Sequence, residues 1–74
     1  MKIKVKFPHD YQMAQKLGEL FWTETFTPEE MADLDYHVTP SGDSYFTYED
    51  VLFRLEKYKE TEKKVVFIAE REDY

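Results

Sequence analysis

The segment Thr47-Tyr48-Glu49-Asp50-Val51-Leu52-Phe53-Arg54-Leu55-Glu56-Lys57-Tyr58 decides how this chain is expected to fold. It opens as a capping box does, with a threonine followed by acids that can answer the free amides of a first helical turn. Val51, Leu52, Leu55 and Tyr58 then recur at helical spacing. Lys63-Lys64 places positive charge at the end, where the helix dipole favours it. The pattern predicts a last helix over 47–64. Phe53 falls on its outer side among Glu49, Glu56, Lys57 and Glu60, facing solvent or a partner.

Downstream, Val65-Val66-Phe67-Ile68-Ala69 is a continuous apolar run, the mark of a strand buried on both faces or nearly so. Upstream, Asp35–Thr39 and Ser44–Phe46 flank Pro40-Ser41-Gly42-Asp43 as the arms of a hairpin flank its turn. Before them, Thr27-Pro28-Glu29-Glu30 is the strongest local signal, a capping threonine with proline at the first helical position and an acid at the third. Met13, Leu17, Leu20 and Phe21 predict a first helix, entered through Pro8 and Asp10 and running to about Thr25. Residues 2–7 alternate, with Ile3, Val5 and Phe7 on one face and Lys2, Lys4 and Lys6 on the other. The resulting order is βαββαβ with an extra short helix after the first. It predicts an α+β, two-layer sandwich of ferredoxin-like order in a single domain over 1–74.

The chain has 74 residues, no cysteine, and only His9 and His37 as histidines. Disulfides, the usual staple of small folds, are therefore excluded, and a structural metal has few donors to draw on. Aromatic residues make up 18% of the chain, and each buried ring removes roughly 150–250 Å2 from water. They are expected to build the core. Neither a secretory apolar run near Met1 nor a stretch of ~20 apolar residues is present, so a cytoplasmic location is expected.

The net charge of −6 is unevenly placed. Residues 1–16 carry four lysines against Asp10, and residues 54–74 balance six bases with six acids. From Leu17 to Phe53 there is no lysine or arginine, while Glu19, Glu24, Glu29, Glu30, Asp33, Asp35, Asp43, Glu49 and Asp50 contribute nine negative charges. A surface that only aids solubility mixes both signs, whereas a one-signed surface steers a partner of opposite sign. Trp22, Phe26, Tyr36, Tyr45, Phe46 and Tyr48 are interleaved with these acids. Carboxylates held at intervals on a scaffold can stand in for nucleic-acid phosphates.

The candidate partner-binding residues are Glu19, Trp22, Glu29, Glu30, Asp33, Asp35, Glu49, Asp50 and Phe53. Trp22 joins Tyr11 and Gly18 on a second helical stripe, to be met either by the last helix or by a partner. Asp33, Asp35 and His37 could share a cation only if that stretch were extended. Ser41 and Ser44 lie in or beside a turn without the glycine-flanked elbow of a nucleophile, and the two glycines are too far apart for a phosphate loop. No catalytic residue, cofactor or metal is therefore assigned.

The function expected is that of a small, acidic, noncatalytic, phage-like protein. It would inhibit or modulate a basic partner protein by mimicking DNA, without direct contact to nucleic acid or membrane. One alternative is a structural homo-oligomer, a homodimer being the simplest, with Trp22, Phe53 or the solvated face of the sheet buried between copies. The other is nucleic-acid binding through Lys2, Lys4 and Lys6, which the overall charge opposes; on a strand, lysines more simply defend a sheet edge.

Overall fold

A computed structural model describes residues 1–72. The elements in chain order are β1 (Lys2–Pro8), α1 (Tyr11–Leu17), β2 (Phe21–Phe26), α2 (Pro28–Asp33), β3 (His37–Val38), β4 (Ser44–Tyr48), β5 (Val51–Glu60) and β6 (Lys64–Arg71). They form an α+β fold with one mixed sheet of six strands among the described residues, in the order β2-β1-β6-β5-β4-β3. β1 runs parallel to β6, and every other neighbouring pair is antiparallel.

Two expected helices are therefore corrected, and with them the βαββαβ order. The first ends at Leu17, because Gly18 adopts a left-handed cap (φ 70°) and returns its amide to the Ala14 carbonyl. Phe21–Phe26 is strand β2 instead of helix. The segment 47–60 is the end of β4, a tight turn at Glu49-Asp50, and the long strand β5. Tyr48 pairs directly with Val51, so no capping box forms there. In β5, Val51, Phe53, Leu55 and Lys57 alternate with Leu52, Arg54 and Glu56 across the sheet. A register shift between Lys57 and Lys59 breaks this alternation at Tyr58.

The sheet is strongly curled. β2 and β4 lie four strand spacings apart, roughly 19 Å on a flat sheet. Yet the Phe26 ring is 6.0 Å from Phe46 and 5.7 Å from Tyr48. The concave side thus folds over itself and makes the core. Its residues include Val5, Phe7, Phe26, Phe46, Leu55, Val65, Phe67 and Ala69, all buried. Phe7 is central, with the rings of Trp22, Phe26, Phe46, Tyr48 and Phe53 all within 6.5 Å.

Helix α2 closes the gap between the two arms of the curl. Met31 is its buried residue, Leu34 packs against the core, and the Leu34 carbonyl accepts from the Thr47 amide at 2.7 Å. Its start is as the sequence indicates: Glu30 N–H donates to Thr27 Oγ1 and Thr27 N–H to Glu30 Oε1, with Pro28 following the cap. The hairpin around Pro40–Asp43 also forms, between β3 and β4. β6 is buried as expected, Val65, Phe67 and Ala69 on the concave side and Val66 on the other. β1 lies between β2 and β6, so its lysines guard no sheet edge. α1 buries no residue, and Met13, Leu17 and Leu20, expected against the sheet, are exposed.

Candidate functional site

Two of the candidate residues belong to the core. Trp22, read as part of a helical stripe, stands on the concave face of β2 and stacks on Phe7 with ring centroids 4.5 Å apart. Phe53 does not face solvent: it pairs with Phe46 on the neighbouring strand and meets Phe7 edge-on at 5.1 Å. Both are half-buried and packed against the core cluster, so neither is an exposed anchor. Helical phase puts Phe53 outward and Trp22 on a stripe open to the last helix or a partner; the alternation of a strand turns both toward Phe7.

The acids are gathered in part. Glu24 shares the concave face of β2 with Trp22 and Phe26, at the open arm of the curl. Glu30 and Asp33 come from α2, which crosses that gap. With Thr25, Phe26, Leu34 and Tyr48 they line a cleft of ≈ 430 Å3. The Tyr48 phenol is held above its ordinary 10.0, first by burial and then by the negative charges of Glu24 and Glu49. Glu24, Glu30 and Asp33 thus line the cleft with Tyr48, and Glu24 and Glu49 act on its phenol. Asp33 lies in the last turn of α2, where no basic residue offsets the negative end of the helix.

The remaining acids lie elsewhere. Glu29 is exposed in the first turn of α2, and Asp50 is exposed beside Glu49. Asp35 has positive φ (60°), and its carbonyl lies 2.8 Å from His37 Nδ1. Glu19 is exposed before the start of β2. Asp43 accepts from the Ser41 hydroxyl and faces Arg54 across a separate hollow. The nine carboxylates thus form one cluster with outliers.

Of the nine, Asp43 has a base beside it, its charge acting on Arg54. The ion pairs among the described residues join Arg54 to Glu70 and Glu72, and Lys57 to Glu60. None takes a carboxylate from the acidic window. Arg54 is held above its ordinary value by its hydrogen bond to Glu70 and then by that residue's charge. On the convex face, the register sets Lys2, Lys4 and Lys6 with Lys59, Lys64 and Arg54 as well as with Glu56 and Glu70, and the Lys6 ammonium lies 5.2 Å from the centre of the Tyr58 ring.

Glu24 and Tyr48 were absent from the candidate residues although both belong to the cleft. The available signal was the Trp22-Thr23-Glu24-Thr25-Phe26 alternation, aromatic and β-branched as a strand prefers. A larger hollow, ≈ 480 Å3, opens at the other end of the concave face beside Ile3, Met31, Tyr36 and Phe67. The two charged side chains lining it, Lys57 and Glu60, pair with each other.

For chemistry, Asp10 caps α1 by accepting the Met13 amide at 2.7 Å, and His9 lies against Trp22. The Ser41 hydroxyl engages Thr39 and Asp43. Among the described residues no group of three or more His, Asp or Glu side chains is placed to hold a metal ion, and no helix is long and apolar enough to cross a membrane. Compared with protein-family models, with curated proteins and with solved structures, the chain has no match in any of the three.

Proposed function

We propose that this chain is an acidic, noncatalytic interaction domain that docks a basic protein surface through the cleft bounded by β2, α2 and Tyr48, and so inhibits or modulates that partner. The observation that carries this is the set of carboxylates at Glu24, Glu30 and Asp33 lining one cleft, with the charge of Glu49 also felt at Tyr48, none of them in an ion pair among the described residues. Unpaired charges of one sign accelerate encounter with an opposite surface and repel nucleic acid. A basic nucleic-acid-binding protein is the partner class that such a surface suits, with the carboxylates in the place of phosphates. The cytoplasm is the compartment where we place this encounter.

The test is capture by the immobilised chain from a lysate at increasing ionic strength, beside the triple variant Glu24→Gln, Glu30→Gln, Asp33→Asn. Glutamine at position 30 keeps the capping box, so charge is removed while α2 retains its start. Capture that fades with salt and is lost in the variant is expected. Equal capture by both proteins at all salt concentrations refutes the reading.

A second reading rests on α1. Its Tyr11, Met13 and Leu17, with Leu20 and Phe21 beyond, are exposed, an apolar surface that a second copy would bury in a homo-oligomer. Light scattering separates the two: a mass fixed at one chain over a wide concentration range removes the oligomer.

A further inference from the structure

The register of β2 shows which way its backbone groups point. The ladder with β1 runs without a break from Ile3↔Phe26 to Pro8↔Phe21, and His9 N–H donates to the Leu20 carbonyl at 2.9 Å just beyond it. Hydrogen-bonded pairs alternate in an antiparallel ladder, so Trp22, Glu24 and Phe26 direct their amides and carbonyls to β1. On the other side of β1, Lys2 N–H donates to the Lys63 carbonyl toward β6, which agrees with this phase. Phe21, Thr23 and Thr25 therefore turn their amides and carbonyls outward, and no backbone or side-chain partner meets them among the described residues.

The opposite edge differs. β3 has two residues, and beyond it the Thr47 amide of β4 is taken by the Leu34 carbonyl. Sheets blunt their edges with proline, lysine, bulges or short strands. Within Phe21–Phe26 there is no proline or lysine, and its register has no bulge. It does carry one inward-pointing charge, Glu24, and the cleft lined by Glu24, Glu30 and Asp33 borders its last part, Glu24 to Phe26.

We infer that the free edge of β2 accepts an extended, basic segment of the partner as a further strand, its backbone pairing with Thr23 and Thr25 and its basic side chains entering the acidic cleft. Strand addition supplies affinity through main-chain hydrogen bonds and specificity through alternate side chains. The added strand runs antiparallel to β2, so its residues that bond Thr23 and Thr25 lie directly opposite them and face the convex side. Those between them face Glu24 and the cleft, and these are the basic ones. A second copy is the poorer occupant: two β2 edges centred on Glu24 set Glu24 against Glu24, and centred on Thr23 they set Glu24 opposite Trp22 with the two Glu24 on a diagonal, so neither register brings a base to the acids. This inference rests on the acidic-docking reading and specifies its geometry.

The test uses a blocked octapeptide of alternating lysine and valine, titrated into the intact chain and followed by the Thr23 and Thr25 amide resonances and by calorimetry. Salt-sensitive binding is expected, with N-methylation of the valine amides weakening it at least about tenfold and N-methylation of the lysine amides leaving it nearly unchanged. Thr25→Pro removes an outward amide without touching the β1 ladder and is expected to weaken binding similarly. Binding indifferent to both methylation patterns and to Thr25→Pro, but abolished by the Glu24→Gln, Glu30→Gln, Asp33→Asn variant, overturns strand addition and leaves the acidic docking standing. Failure of the unmodified peptide to bind at low salt overturns both. A dimer that Thr25→Pro dissolves assigns the edge to a second copy and overturns the inference.

Discussion

Phe7 and Trp22 face one another across the β1–β2 ladder and stack with ring centroids 4.5 Å apart, 21° from parallel. Phe7 is buried at 1% exposure, whereas Trp22 is half-buried. The pair joins the outer arm of the curl to its centre. A domain of this size holds on the order of 5 kcal/mol in total. Phe7→Ala, which costs about 3–5 kcal/mol, is therefore expected to leave the chain largely unfolded. The milder pair Phe7→Leu and Trp22→Leu keeps it folded, and a double-mutant cycle by urea titration is expected to give about 1 kcal/mol of coupling. Strict additivity would show that the stacking contributes nothing beyond area.

Phe53 and Leu20 exchange the roles that helical spacing gives them. Phe53→Ala opens a hole beside Phe7 and Phe46 and is expected to cost about 3 kcal/mol. Leu20→Ala, at a position 72% exposed, is expected to change stability by less than about 0.5 kcal/mol. Thermal melts of the two variants decide it, and a larger loss at Leu20 would contradict the packing described.

These two residues also show what the sequence does and does not reveal. Alternation in residues 2–7, the apolar run 65–69 and the Thr27-Pro28-Glu29-Glu30 start are each dominated by one signal, and each forms as read. β5 carries two periods at once. Val51, Phe53 and Leu55 alternate as a strand does, but Leu52 and Tyr58 complete a helical stripe, and Glu, Lys, Arg and Leu favour helix intrinsically. Pairing with β4 and β6 overrides that preference. The Glu49-Asp50 turn has neither of the residues, asparagine or glycine, that announce such a hairpin. The acidic window was legible as charge. Its grouping around Tyr48 was not, because that depends on the curl bringing β2 toward β4.

The turn at Glu49-Asp50 is a place to gain stability. Both residues have positive φ, 52° and 65°, as a type I′ two-residue hairpin requires, and neither is glycine. Left-handed backbone costs an ordinary residue about 1 kcal/mol or more. The double variant Glu49→Asn, Asp50→Gly is expected to raise stability by about 1 kcal/mol, read as a higher urea midpoint with unchanged slope. An unchanged or lower midpoint would mean that the two native side chains make contacts there worth as much as the backbone relief.

Tyr48 reports directly on the acidic cleft. Burial first, then Glu24 and Glu49, hold its phenol above 10.0, so the folded chain keeps that proton more tightly than the unfolded chain does. The resulting stabilisation is present in full below pH 10.0 and is lost as pH rises through the higher folded value. Tyr48→Phe is accordingly expected to lose less stability between neutral and strongly alkaline pH than the parent chain. Glu24→Gln is expected to lower the Tyr48 titration only part of the way, because burial is the larger cause and remains. Carbon-13 resonances of the tyrosine ring measure both. A Tyr48 that titrates at or below 10.0 in the parent chain would place Glu24 and Glu49 too far away to act on it, and the cluster of unpaired acids around the cleft would dissolve with it.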